Sequence, residues 1–160
     1  MNFSVVERDF IRDHILPDFD WVTYSEPSPV NPLRKPLAEL HVAMVTTAGV
    51  HGATDPPVDL KSRTGDPSYR EIASDAPLGQ LRLSHVGYNT RKVSKDINCV
   101  FPLEGLQELE AEGIVGSVSP RHFSFMGYIP IVDTLLRETG PEVAQKLQAD
   151  RVDLVLLSPA

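Results

Sequence analysis

The period of the apolar positions changes along this chain, and the changes predict most of its elements. Val5, Val6, Phe10 and Ile15 fall at loosely helical spacing before Pro17, so a helix is expected from Phe3 to Ile15. The run Leu40 to Val45 reads as a strand that ends in Thr46-Thr47-Ala48-Gly49-Val50. Leu81-Arg-Leu-Ser-His85 alternates apolar and polar residues, the pattern of a half-buried strand. Leu103, Leu106 and Leu109 share one helical face behind Pro102, and Gly113 stops that helix. A second stripe of Ile129, Val132, Leu135 and Leu136 predicts a helix over Ile129 to Glu138. Gly140-Pro141 is expected to break it and begin a third helix, with Val143 and Leu147 four apart. That helix leads into Asp153-Leu-Val-Leu-Leu157, a short apolar run that reads as a buried parallel strand.

Strand, helix and strand alternate in the back half, which predicts an α/β fold with a Rossmann-like, mainly parallel sheet flanked by helices. The front half differs. Of the 14 prolines, nine lie within the first 77 residues. Residues 1–36 are therefore expected to be a helix followed by an irregular proline-rich arm, packed by Phe19, Trp21 and Tyr24. Residues 37–160 are expected to form the α/β domain. Within it, His51 to Pro77 reads as one long loop without a sustained period.

Composition narrows the function classes. The 160-residue chain is 41% hydrophobic, enough for a modest core, and its formal net charge is −7. No block of Lys or Arg stands out, so neither nucleic acid nor a membrane surface is an expected partner. No apolar run approaches the roughly 20 residues of a membrane span, and the amino terminus lacks a secretory pattern. A single cysteine, Cys99, excludes an internal disulfide and fits a reducing compartment, so a cytoplasmic protein is expected.

Candidate chemistry gathers after the first strand. The hydroxyls of Thr46 and Thr47 and the backbone of Gly49 suit a substrate carboxylate, although turn chemistry accounts for the same residues. His51 and Asp55 are four apart, but Gly52, Pro56 and Pro57 argue against a helix that would align them. No metal-ligand motif occurs elsewhere, and no metal is expected. His51 suits an acid/base or contact role better. Arg70 could clamp a carboxylate, with an ion pair to Asp66 or Glu71 as the alternative. Asp66, Tyr69 and Arg70 could close over the site as a lid together with His85 and Tyr88, and His85 is also a possible acid/base. Asp96 and Asn98 are turn and capping residues. Cys99 is expected to be buried and inert. A helix start is expected at Arg121 and His122, with Arg121 as an anion contact and His122 either a buried structural histidine or an acid/base.

Several stretches are more particular than generic α/β sequence. They are Val45-Thr-Thr-Ala-Gly-Val-His51, Gly65-Asp-Pro-Ser-Tyr-Arg-Glu-Ile72, Asp96-Ile-Asn-Cys-Val-Phe-Pro102, Ile114-Val-Gly116, Pro120-Arg-His-Phe-Ser-Phe-Met-Gly127 and Asp153-Leu-Val-Leu-Leu-Ser-Pro-Ala160. In order and spacing, from about Leu40 onward, they resemble the selenoprotein B family of glycine, sarcosine, betaine and D-proline reductases. The resemblance implies reductive C–N bond cleavage next to a carboxylate. It also implies a selenocysteine nucleophile just after Ala160, with reset by a dithiol. Ala160 would then be a truncation rather than the natural end. This chain carries no cofactor of its own on that reading, and a pyruvoyl group would sit on a partner subunit. The resemblance implies as partners a small carboxylate or amine substrate and other reductase subunits. It favours Thr46, Thr47, His51, Arg70, His85, Arg121 and His122 as the crevice wall. The alternative is a non-catalytic small-molecule-binding or assembly module of the same fold, which would form a homo-oligomer through its exposed apolar surface.

Overall fold

The helix expected at the front of the chain forms as α1, Phe3–His14, and Ile15 to Pro17 lead out of it. A computed structural model describes residues 2–21, 23, 25–27, 29 and 31–160. Two units separate, Met1–Leu33 and Arg34–Ala160. In the first, α1 buries none of its residues. The chain behind it turns back so that the Trp21 indole N–H donates to the Ser4 carbonyl at 2.8 Å. Phe19 packs edge-on against Trp21, and Arg12 pairs with Asp20 at 3.1 Å. Tyr24 lies outside the described residues.

The second unit is built on β1, His41–Thr46. One edge of β1 pairs in parallel with β7, Leu154–Ser158, over five residues. Its other edge pairs in parallel first with β5, Ser117–Val118, and then with β6, Arg121–Ser124. Between the two pairings the partner chain advances two residues more than β1 does, at Ser119-Pro120, which is a bulge. β3, Arg70–Ala73, adds to β6 antiparallel. The sheet is therefore mixed, parallel at its centre with one antiparallel edge. A separate two-stranded ribbon joins β2, Val50–Gly52, to β4, Leu81–Leu83.

The sheet faces follow the strand period. Val42 and Met44, with Leu40 ahead of them, pack toward α3, Leu103–Ala111, which buries Leu103 and Leu106. Phe101, Ile72, Ile97 and Val115 complete that core. On the opposite face Val45, Phe123 and Phe125 meet Val143 and Leu147 of α4, Gly140–Ala149. Full burial of each Leu, Met or Phe contributes about 2 kcal/mol of transfer free energy. A short helix, α2, spans Thr90–Val93, capped by the Asn89 side chain on the Arg91 N–H.

Several expectations are corrected here. The segment from His51 to Pro77 is not one loop, because Arg70–Ala73 pairs into the sheet. Gly140-Pro141 does not break the helix. A widened π turn over Leu135–Thr139 runs directly into α4, and the Gly140 N–H bonds back to Leu135 O. Such a turn accommodates a proline whose ring would clash with an α-helical carbonyl. Of the stripe expected there, Val132 and Leu136 are exposed, Leu136 at 68%. Arg121 and His122 open a strand rather than a helix. Cys99 is exposed, because Ile97–Cys99 is a tight helical turn and only Ile97 of it faces the core. β7 is parallel as expected but is an edge strand, and Leu157 is 70% exposed.

Candidate functional site at the strand tips

Parallel strands bring their carboxyl ends together, and here β1, β6 and β7 end side by side at Thr46, Ser124 and Ser158. Each end carries a hydroxyl, and the hydroxyls knit the tip. Thr46 Oγ1 and Ser158 Oγ both donate to the Val100 carbonyl at 3.0 Å. Thr46 Oγ1 also accepts the Ala48 N–H, and Ser124 Oγ accepts the Val50 N–H at 2.7 Å. Thr47 donates its N–H to Ser158 O, while its own hydroxyl accepts the Ala160 N–H at 3.0 Å. Thr46 is thus a buried structural bracket, and Thr47 is the hydroxyl that holds the residues after β7.

Gly49 makes the turn possible. Its φ is +67°, its N–H donates to Phe125 O, and a Cβ there would lie 2.0 Å from Ser84 O. Only glycine tolerates both the left-handed backbone and that approach. The turn carries the chain into β2 and sets the ribbon over the tip. Behind β4, His85 stacks on Tyr88 with ring centroids 4.4 Å apart. The Tyr88 hydroxyl donates to Ala48 O at 2.6 Å, and burial pushes its pKa up to about 12.

The remaining candidates have contacts of a different kind. His51 is buried on β2. Its Nδ1 donates to Gly52 O at 2.8 Å and its Nε2 meets Ser84 Oγ at 2.9 Å, so both nitrogens are engaged. Asp55 accepts the Gly52 N–H nearby. Arg70 lies opposite Ser124, at the crevice end of the sheet. Its guanidinium turns into the loop, donating to Pro56 O, Ser68 Oγ and Tyr69 O, with Asp66 at 3.9 Å. Asp66 stays below the usual carboxylate range. Burial opposes that shift, but hydrogen bonds from Ser68 and the Asp59 N–H, with the Arg70 charge, outweigh it.

Arg121 begins β6 and so stands at the other end of the strand from Ser124. It binds Asp150 with two nitrogens and Glu71 with a third. Lys146 of α4 also pairs with Glu71, and these two cations hold the Glu71 carboxyl low, Lys146 first. His122 is fully buried, and its Nδ1 accepts the Met44 N–H at 3.0 Å. The structure therefore gathers Thr46, Thr47, Gly49 and His85 at one tip, with His51 in the ribbon behind. It leaves Arg121 and His122 outside. Ser124 and Ser158 belong to the tip and were not singled out from sequence. The signal available was a hydroxyl at the end of each apolar run.

Among the described residues no three His, Cys, Asp or Glu side chains gather as a metal-ligand set. No helix among them is long and apolar enough to cross a membrane. A groove of about 570 Å³ lies between β4, α2 and the Ile97–Cys99 turn, and none of the strand-tip residues lines it.

Comparison with known proteins places this arrangement. No solved structure matches. D-proline reductase subunit gamma of Acetoanaerobium sticklandii is 41% identical over 133 residues, covering 82% of this chain and 54% of that protein. Sarcosine reductase complex component B subunit beta of Peptoclostridium acidaminophilum is 30% identical over 151 residues, 93% of this chain and 33% of that one. Glycine reductase complex component B subunit gamma of Carboxydothermus hydrogenoformans is 28% identical over 153 residues, 94% and 34% of the two chains. The chain thus spans between about a third and about half the length of these relatives. The model of the glycine/sarcosine/betaine reductase selenoprotein B family matches residues 4–160, nearly the whole chain. With that extent of match, the chain belongs to the glycine/sarcosine/betaine reductase selenoprotein B family.

Proposed function

We propose that this chain forms the crevice-bearing front of a reductase subunit that cleaves a C–N bond next to a carboxylate. It would work with partner subunits, as its relatives' names describe complexes or subunits. The observation that carries the reading is the Ala160 N–H held on Thr47 Oγ1. That bond sets the residues after β7 over the joined carboxyl ends of the strands, where α/β sheets carry their reacting groups.

A selenocysteine following Ala160 would supply the nucleophile, forming a Se–C bond as the C–N bonding pair leaves on nitrogen, which takes a proton and departs as the amine. One thiol of a dithiol would then attack selenium, breaking the Se–C bond so that its electron pair stays on carbon, which takes a proton and leaves as the reduced acid. The second thiol would resolve the selenosulfide, freeing the selenolate and leaving a disulfide. A selenol ionises below neutral pH, whereas a free thiol has a pKa of about 8.5, so no adjacent base is needed. The histidines fit this reading: His51 has both nitrogens bonded, His85 at the tip has its Nδ1 taken by the Gly87 N–H, and His122 is sealed in the sheet away from the tip. In this chain Thr47 orients the turn, Thr46, Ser124 and Ser158 brace it, and Gly49 and Tyr88 hold the ribbon across it. The substrate is a small amine-bearing carboxylate, a pyruvoyl group belongs to a partner subunit, and the site of action is the cytoplasm.

The test is to translate the reading frame beyond codon 160 with selenocysteine insertion and assay the product. Dithiol-dependent amine release, abolished by serine at the selenocysteine position, is the expected result. A frame that closes without any nucleophile would overturn the reductase reading and leave a non-catalytic binding or assembly module.

A further inference from the structure

β4 is paired on one edge only. Its partner is β2, and among the described residues no third strand joins the ribbon. The Ser84 N–H donates to Gly49 O, so by the alternation of an antiparallel pair the Leu83 N–H and C=O point away from β2. Leu81 and Leu83 both line the groove of about 570 Å³ between β4, α2 and the Ile97–Cys99 turn, and no residue of β2 does. The free edge of β4 is therefore a wall of that groove. An open strand edge is a template for a further strand.

The rest of the lining is of two kinds. Leu81 and Ile97 are buried, and Leu78 packs against the same core, so they present its outer layer to the groove. Arg82, Arg91 and Lys95 stand exposed around them. None of the three makes an ion pair among the described residues. Arg82 donates to Leu81 O at 2.9 Å and to Gly79 O at 3.2 Å, so its guanidinium lies along the strand. The two acids of the groove are engaged with Asn98. Asp96 accepts its N–H at 3.0 Å, and Glu104 accepts its side-chain amide at 2.6 Å. Residues 76–95 hold Arg82, Arg91, Lys92 and Lys95 and no Asp or Glu, within a chain of net charge −7. The fold draws three of those four cations round one apolar cleft. Such a local excess in an acidic protein complements an anionic partner.

We propose that this groove docks an extended acidic segment of a partner subunit. Its main chain would pair with Leu83 at the free edge of β4. An apolar side chain would rest on Leu78, Leu81 and Ile97, and its carboxylates would face Arg82, Arg91 and Lys95. This rests on the reading above that the chain works with other subunits. A phosphate backbone is a poorer fit, because Asp96 and Glu104 stand in the cleft and nucleic acid offers the strand edge no peptide main chain. The turn that closes the groove runs on into Val100, whose carbonyl holds Thr46 and Ser158. A docked segment would lie beside the strand tips without entering them.

The probe is a fluorescein-labelled peptide of alternating Glu and Val, with a Lys and Val peptide as its control. The wild-type chain is expected to bind the first and not the second, more weakly as salt rises. Arg82→Glu, Arg91→Glu and Lys95→Glu together, all at exposed positions, should lower the affinity roughly tenfold or more. In the wild type, binding should slow hydrogen exchange at the Leu83 amide, a readout that needs no variant. Unchanged affinity in the triple variant, or an unprotected Leu83 amide, overturns the proposal. So does a single-stranded oligonucleotide that binds more tightly than the acidic peptide and is lost in the same variant.

The occupant is identified in the assembled reductase, with a photo-crosslinking side chain placed at Ser94. Crosslinks to an Asp- and Glu-rich segment of another subunit are the expected result. Crosslinks to a second copy of this chain overturn the occupant. If no other subunit assembles with the chain, the functional reading fails and the proposal with it. If the complex assembles but crosslinks elsewhere, that reading stands and the groove alone is overturned.

Discussion

The Met44 N–H donates to His122 Nδ1 at 3.0 Å, so an imidazole takes the place of a main-chain acceptor in the middle of the sheet. The bulge at Ser119-Pro120 is the cause. It carries the β5–β6 chain away from β1 just where Met44 needs a partner, between the Val42–Val118 and Val45–Phe123 pairings. His122 fills the gap from within the sheet. Because Nδ1 is the acceptor, the ring must be neutral with its proton on Nε2. Burial first, and the nearby His41 second, push its pKa down to about 4.

This bond makes stability depend on pH in a defined window. Between about pH 4 and pH 6.5 the unfolded chain binds a proton at His122 that the folded chain does not. The contribution is therefore complete above pH 6.5 and is lost as pH falls toward 4, by up to about 3 kcal/mol. His122→Phe should cost about 1–3 kcal/mol at pH 7.5 by stranding the Met44 N–H, and should flatten that window. Urea denaturation of both proteins at pH 7.5 and pH 5 reads both effects.

Gly49 and Gly113 both have positive φ, but only Gly49 faces backbone at 2.0 Å, while a Cβ at Gly113 meets nothing within 4 Å. Gly113→Ala is expected to cost about 1 kcal/mol, the strain of the left-handed region alone. Gly49→Ala should cost well over about 3 kcal/mol, because the β1–β2 turn must move away from Ser84. Thermal denaturation of the two variants compares them directly, and equal losses would contradict the turn geometry.

Glu71, Arg121, Asp150 and Lys146 tie β3, β6 and α4 together at the end of the sheet away from the crevice. Glu71→Gln should lower stability by no more than about 1 kcal/mol, since these side chains are partly exposed and screened. The sign follows from the depressed Glu71 pKa. Its contribution is present above the unfolded carboxyl value and fades as pH falls through the lower folded one. The loss should shrink in high salt, and the strand-tip hydrogen bonds should be unaffected, because the network lies at the other end of the sheet.

Cys99 is exposed, with Sγ donating to Asp96 O at 3.0 Å. A thiol reagent should label it in the native state at a rate close to that in denaturant, and Cys99→Ser should shift the melting temperature by less than about 2 °C. Protection of the native thiol would mean that the turn at Ile97–Cys99 packs inward.

Local chemistry was legible in the sequence wherever short-range rules act alone. The apolar run at Leu40 specified β1, Pro17 ended α1, and Gly113 ended α3, since period, ring and left-handed turn are properties of a few adjacent residues. The family was readable from ordered motifs for the same reason. Partners distant in sequence were not readable. Arg70 reads alike as a carboxylate clamp or a loop anchor until Pro56 O, Ser68 and Asp66 surround it. Arg121 and His122 adjoin in the chain, yet side chains on a strand alternate. One therefore reaches Asp150 and Glu71 at the sheet surface, and the other enters the core under Met44. Pro141 reads as a helix break until the π turn absorbs it. Sequence by itself determined α1, β1, α3 and the last strand, whose patterns are local. Only the tertiary structure decided which donor meets which acceptor, because burial leaves each polar group to be satisfied by whatever the fold brings within about 3 Å.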